Sequence, residues 1–266
     1  KYGKGSVTFA LDEAHVTELY GTPVPKIDDI RAALYATLSS PVSHEPLESW
    51  VNPGDKVALI VSDMSRFWMR QDLVVPHIIS YLTDKCDVNH NNITIIIANG
   101  THPGGDENEL RTLVTDGVYD RIRVVNHDCQ AKDLVYIGTT SLGTEVRINP
   151  IAANADKVIM LGACTYHVMA GYGGGRKSIL PGISGLETIR QNHLHSLDLL
   201  APRSNPLIGN GVTDGNPLNE DMCQAAAMVK NLFGINLVTN ADMQLAHIIS
   251  GDPMKAWQLA CHRVDE

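Results

Sequence analysis

Two unbroken apolar runs constrain the fold more than any other feature: Val57-Ala58-Leu59-Ile60-Val61 and Ile93-Thr94-Ile95-Ile96-Ile97-Ala98. A strand with one face in water alternates apolar and polar residues. A strand that is apolar throughout is buried on both faces, as happens when helices cover both sides of a parallel sheet. Lys157-Val158-Ile159-Met160-Leu161-Gly162 has the same character, and Ile122 to Asn126 and Ile235 to Thr239 read as further strands. The intervening stretches have helix length and period: Asp72 to Leu82, a segment capped by Asp106 with Glu107 and Glu109 in its first turn, Leu218 to Val229, and Met254 to Arg263. Leu134 to Gly138 and Glu145 to Ile148 suit a hairpin. Strands alternating with helices predict an α/β fold with a largely parallel sheet flanked by helices. Ligands of such sheets bind beyond the carboxyl ends of the strands. Asp63 to Arg66, Thr101-His102 and His167 to Lys177 all fall there.

Composition narrows the class. The 266 residues are 44% hydrophobic and 19% charged, ordinary for a globular chain, and the core must rest on Ile, Val, Leu and Ala because Phe and Trp number three each. The net charge of −9, with no basic tract, argues against nucleic acid as a partner. No apolar run reaches the ~18–20 residues that span a bilayer, and Lys1 to Gly5 lead into no secretory apolar region. Cys86, Cys129, Cys164, Cys223 and Cys261 are an odd, dispersed set without a CxxC pair, which fits reduced thiols and a cytoplasmic location.

The segment richest in chemistry runs from Thr165 to Gly182. It holds His167, then Gly171, Gly173, Gly174 and Gly175, then Arg176, Lys177 and Leu180-Pro181-Gly182. Such a loop lets backbone approach a ligand closely, and its N–H groups suit a phosphate. The lysine at its end is either a phosphate ligand or a covalent attachment point. A P-loop fits poorly, because Arg176 stands where glycine is required before the lysine and Pro181 ends any helix at once. A plain glycine-rich surface turn is the bland alternative. Arg176 itself reads either as a phosphate ligand or as a solvent-facing side chain. Gly182 to His193 reads as a turn and a short helix ending in histidine. His102, His167 and His193 form a set suited to proton transfer or to binding nickel. His77 and His127 read as structural.

In order along the chain, Val57 to Arg66, Ala98-Asn99-Gly100-Thr101-His102, the His167-to-Pro181 loop, Asn192-His193, Pro217-Leu218-Asn219 and Gly251-Asp252-Pro253 resemble the lactate racemase family over nearly the whole chain. The resemblance implies a Rossmann-like N-terminal domain, residues 1–266, of a two-domain enzyme whose C-terminal domain is absent from this sequence. It implies an isomerase that racemises or epimerises lactate or a related 2-hydroxy acid. Its cofactor would be a nickel-pincer nucleotide, the pyridinium-3,5-bisthiocarboxylic acid mononucleotide, covalently attached to Lys177. Hydride would leave Cα for the pyridinium and return to either face of the keto acid.

By the same resemblance His193 completes the nickel coordination, and His102 and His167 are the acid/base pair. Arg66 orients the substrate carboxylate. Ser65, Gly173, Gly174 and Gly175 belong to the cofactor site, and Asp63 holds either the cofactor or Arg66. The implied partners are the 2-hydroxy acid and the maturation proteins: a carboxylase/hydrolase, a sulfur transferase and a nickel-insertion protein. Two departures stand out. Ser65 replaces threonine, and Phe67-Trp68 follow Arg66 where the family continues with proline. Those two aromatics read either as core or as a reshaped pocket wall. Two other classes stay open: a phosphate- or nucleotide-binding transferase using the glycine loop, and a cofactor-less binding module.

Overall fold

The computed structural model describes residues 5–10, 15, 17 and 22–266; the reading of Lys1 to Lys4 lies outside the described residues. The strands are β1 Val57–Ser62, β2 Ile93–Ala98, β3 Arg123–Asn126, β4 Val135–Thr139, β5 Glu145–Ile148, β6 Lys157–Cys164, β7 Tyr166–His167, β8 Gly171–Tyr172, β9 Leu232–Thr239 and β10 Leu245–Gly251. The helices are α1 Ile30–Ser39, α2 Leu47–Trp50, α3 Val75–Asp84, α4 Glu107–Val114, α5 Asp116–Tyr119, α6 Pro150–Ala153, α7 Leu186–Leu194, α8 Pro217–Ala227 and α9 Pro253–Asp265.

Six strands form the main sheet in the order β10-β9-β6-β1-β2-β3. Every neighbouring pair is parallel except β10 with β9. The fold is therefore α/β with a mostly parallel sheet. Successive residues of the central strands feed opposite cores. Val57, Leu59 and Val61 pack with α1 to α5 on one face, and Ala58 and Ile60 pack with α6, α7 and α8 on the other. Both faces being dry explains why β1 carries no polar alternation. Several expected elements recur with shifted ends. The helix expected from Asp72 begins at Val75, behind a 3-10 turn over Gln71–Leu73. Asp106 caps α4 by accepting from the Glu109 N–H at 2.9 Å. The expected hairpin is β4 with β5, a separate antiparallel pair. Edge strand β10, helix α1 and the small β7–β8 pair were not legible as elements in the sequence.

After β1 the chain crosses to β2 on one side, and it later returns to place β6 on the other side of β1. That reversal opens a crevice beyond the carboxyl ends of β1 and β6, where doubly wound sheets bind ligands. The five cysteines form no disulfide, and four of them are buried. Among the described residues no helix is long and apolar enough to cross a membrane.

Candidate active site

The crevice holds a cavity of about 320 Å³, lined among others by Asp63, Arg66, His102, His167, Lys177 and His193. A second cavity, of about 340 Å³, adjoins it around Asp63, Asn99 and His102 and reaches Glu109. Three loops converge: residues 63–69 after β1, residues 99–105 after β2, and the glycine-rich segment after β6. Gly162 on β6 brings the last of these close, since a Cβ there would stand 3.0 Å from the Gly174 Cα. Gly174 itself has φ +69°, a region that costs residues with a Cβ. Gly100 N–H donates to the Gly182 carbonyl at 2.9 Å, which ties the His102 loop to the Lys177 segment.

The first wall is a hydrogen-bonded chain. His102 Nδ1 lies 2.5 Å from Asp63 Oδ2. Ser65 Oγ donates to Asp63 Oδ1 at 2.6 Å and accepts from Arg66 Nη1 at 3.0 Å. A carboxylate is an acceptor, so His102 presents Nδ1–H to Asp63 and keeps the Nε2 lone pair as a base. Asp63, expected from the resemblance to hold either the cofactor or Arg66, and Ser65, expected at the cofactor site, fix His102 and Arg66 relative to one another.

The opposite wall carries the reverse tautomer. The N–H groups of Met169 and Ala170 both donate to His167 Nδ1, at 3.2 and 3.1 Å. A neutral ring that accepts at Nδ1 carries its proton on Nε2. Nε2 lies 3.3 Å from Lys177 Nζ, a favourable contact when the amine is unprotonated. Burial, with Arg176 and Arg66 nearby, lowers the Lys177 amine to about 7. Burial first, then the Lys177, Arg176 and Arg66 cations, lowers His167 to about 4. The electrostatics agree with the geometry: a neutral His167 faces an amine with substantial free-base character.

His193 sits in the last turn of α7, where its Nδ1–H donates to the Ile189 carbonyl at 2.9 Å. That bond leaves Nε2 as the free donor atom, and burial lowers the basicity of the ring. His195, two residues on, is not in the cavity lining; its Nε2 lies 4.0 Å from Asp221. His127 is buried, with Nε2 on the Ser184 carbonyl at 2.9 Å, and its structural reading stands.

Of the residues singled out in the sequence, Asp63, Ser65, Arg66, His102, His167, Gly173, Gly174, Lys177 and His193 line the cavity. Gly175 lies behind it, where a Cβ would strike the Trp257 ring at 2.7 Å. Trp68 lines the cavity as well as packing on the core, whereas Phe67 packs on the core alone. Arg176 overturns both sequence readings. It is 0% exposed, so it faces neither solvent nor a phosphate in the crevice. Behind Gly174 the chain makes only a four-residue 3-10 turn, Gly175–Ser178, so no long helix backs the loop as a P-loop requires. Asn99 is a lining residue the sequence reading passed over, although its position just past β2 is the same strand-end signal that marked His102.

Residues 2–203 match the family model described as the lactate racemase N-terminal domain. The whole chain aligns at 27% identity with lactate racemase of Thermoanaerobacterium thermosaccharolyticum, covering 61% of that protein. Over 86% of its length it is 29% identical to lactate racemase of Lactiplantibacillus plantarum, covering 53% of it. The fold superposes on the lactate racemase apoprotein of T. thermosaccharolyticum with a TM-score of 0.81 at 26% identity, over 92% of this chain and 58% of that one. A Thermotoga maritima protein shares the fold, with a TM-score of 0.67 at 19% identity over 89% of this chain and 58% of that one. The chain thus spans between half and two thirds of the length of these relatives.

Proposed function

The chain belongs to the lactate racemase N-terminal domain family, and on that premise we propose that it is the cofactor-carrying, catalytic domain of a racemase or epimerase acting on lactate or a related 2-hydroxy acid. One observation carries the reading. Three histidines, a lysine of depressed basicity and an arginine, from separate loops and a helix, converge on one cavity at the switch point of the sheet. In this proposal residues 1–266 form the N-terminal domain, and a C-terminal domain corresponds to the remaining length of the relatives.

The donor set suits a nickel-pincer nucleotide. Among the described residues no three His, Cys, Asp or Glu side chains cluster as a metal site. A metal held by His193 Nε2 must therefore bring most of its own ligands, as a pincer does. Lys177, with an amine near 7, is suited to amide-type bond formation with a carboxyl-derived group. When bound, the cofactor supplies a pyridinium that takes a hydride from Cα and returns it.

The remaining work falls to the chain. Arg66 holds the substrate carboxylate with a fork of N–H donors. His102, oriented by Asp63, accepts the hydroxyl proton at Nε2. His167 is the second acid/base group of the proposal; it donates a proton only as the imidazolium, so the neutral ring must take up a proton before it acts as the acid for the other enantiomer. Carboxylase/hydrolase, sulfur-transferase and nickel-insertion proteins complete the proposal as the source of the cofactor.

The test is peptide mass spectrometry around Lys177, with nickel quantified, on protein co-produced with those maturation proteins. A thioamide-linked nucleotide on Lys177 with one nickel per chain is the expected result. An unmodified Lys177 under conditions that load a known lactate racemase would refute the cofactor assignment.

A further inference from the structure

Arg176 is the largest fully buried side chain among the described residues, at 0% exposure. Among the described residues no carboxylate forms a salt bridge with it. Burying a guanidinium without a counter-ion is costly, and an apolar residue of similar volume would fill the space without that cost. The position therefore needs what only the cation and its fork of donors provide.

Four of its five N–H donors are used. Nη2–H donates to the Ala170 carbonyl at 2.7 Å, Nη1–H to the Gly173 and Gly174 carbonyls at 3.2 and 3.3 Å, and Nε–H to Asn219 Oδ1 at 2.9 Å. The guanidinium lies 3.8 Å from the centre of the Trp257 ring, whose Nε1–H donates to the same Gly173 carbonyl at 2.9 Å. Trp257 belongs to α9, beyond the residues 2–203 matched by the family model.

The three carbonyls lie between His167 and Lys177 in the chain. Ala170 connects the clamp directly to the imidazole: its N–H donates to His167 Nδ1 while its carbonyl is held by Arg176. At the other end Lys177 is the next residue. We propose that Arg176, braced by Trp257, is a positioning residue that fixes the His167 tautomer through Ala170 and holds the Lys177 amine at the cavity beside it. The cation also helps to depress the basicity of both groups. This inference rests on reading Lys177 and His167 as functional groups. Its test needs no cofactor, so its failure is separate from failure of Lys177 to be loaded.

The experiment uses the full 266-residue chain, produced without maturation proteins, as wild type, Arg176→Lys and Trp257→Phe. Two quantities are read: the His167 tautomer, from ¹⁵N ring shifts, and the rate of Lys177 acylation relative to surface lysines, from peptide mass spectrometry. Arg176→Lys keeps the charge and loses the fork. It is expected to mix the His167 tautomers and to slow Lys177 by about tenfold, within what an ångström of misplacement costs a reacting group. Trp257→Phe keeps a ring beneath the guanidinium, removes one donor from Gly173, and is expected to shift both readouts in the same direction by less. A folded Arg176→Lys with wild-type tautomer and wild-type Lys177 rate would overturn the proposal and leave Arg176 a packing residue. Should Arg176→Lys not fold, Trp257→Phe decides: a changed tautomer or rate supports the clamp, and wild-type values for both overturn it.

Discussion

Asp221 offers a sharp test of how the fold holds the helix that carries His193. Its carboxylate, on α8, is 0% exposed. It accepts from Thr140 Oγ1 at 2.5 Å, Thr144 Oγ1 at 2.9 Å and Asn192 Nδ2 at 2.8 Å. Those donors come from the β4–β5 turn and from α7, so one side chain joins three elements. Asp221→Ala strands three buried donors. At roughly 1–3 kcal/mol for each unsatisfied group, the gross loss is about 6 kcal/mol. Removing a desolvated carboxylate returns part of that, several kcal/mol in a fully buried site. The net expectation is about 3 kcal/mol of lost stability, a value that also marks disruption of a buried polar network. With a urea slope of about 3 kcal/mol/M for a domain this large, the unfolding midpoint falls by about 1 M. The melting temperature falls by roughly 6–10 °C. Urea unfolding followed by Trp fluorescence and by circular dichroism reads the change. Asp221→Asn keeps the volume and one acceptor oxygen, so its loss is smaller. Thr144→Val combined with Asp221→Ala should show about 1 kcal/mol of coupling. A midpoint within about 0.2 M of wild type for Asp221→Ala would mean that the network contributes nothing net and that α7 is held by its apolar contacts alone.

Other outcomes follow from the same geometry. His167 titrates near 4 when folded, below its ordinary unfolded value, so between those two values the unfolded chain binds more protons and stability falls as the pH is lowered from neutrality toward 4. The contribution is at most about 3 kcal/mol; urea unfolding at pH 7 and pH 4.5 should show the loss, and His167→Gln should make the pH dependence shallower. Gly182→Ala places a Cβ 2.3 Å from the Ser178 carbonyl oxygen and 2.9 Å from the Ala98 Cβ. It should cost about 2–3 kcal/mol and part the His102 loop from the Lys177 segment, read by calorimetry and by hydrogen exchange at Gly100. Ser65→Ala removes the hydroxyl between Asp63 and Arg66. In the loaded enzyme it should lower kcat/KM by about tenfold while leaving the melting temperature almost unchanged.

Much of this architecture was readable from the chain alone. The apolar runs at Val57 and Ile93 forced strands buried on both sides, and such strands require a helix-covered parallel sheet. The carboxyl-end rule places Asp63, His102, His167 and Lys177 in one region from the sequence alone. Local pattern was enough because periodicity and strand-end position are properties of neighbouring residues. Edge strand β10 escaped because Leu245–Gly251 includes polar residues and its identity depends on pairing with β9. Asp221 and Trp257 looked like ordinary helix positions, since nothing beside them in the chain reveals a partner 29 or 84 residues away.

The residue types to which the proposal gives acid/base chemistry, metal ligation and lysine attachment were therefore set by the sequence, together with the sheet that gathers them. Which nitrogen of each histidine carries the proton was decided only by the tertiary structure, through Asp63 for His102 and the Met169 and Ala170 amides for His167. The fate of Arg176 was decided there too. Beside Lys177 in the chain it looked like a ligand or a surface cation, yet the packing of α9 against the glycine loop closes water out and turns its donors onto backbone carbonyls. Burial and hydrogen-bond partners are set by elements distant in sequence, and those contacts exist only once the chain has folded.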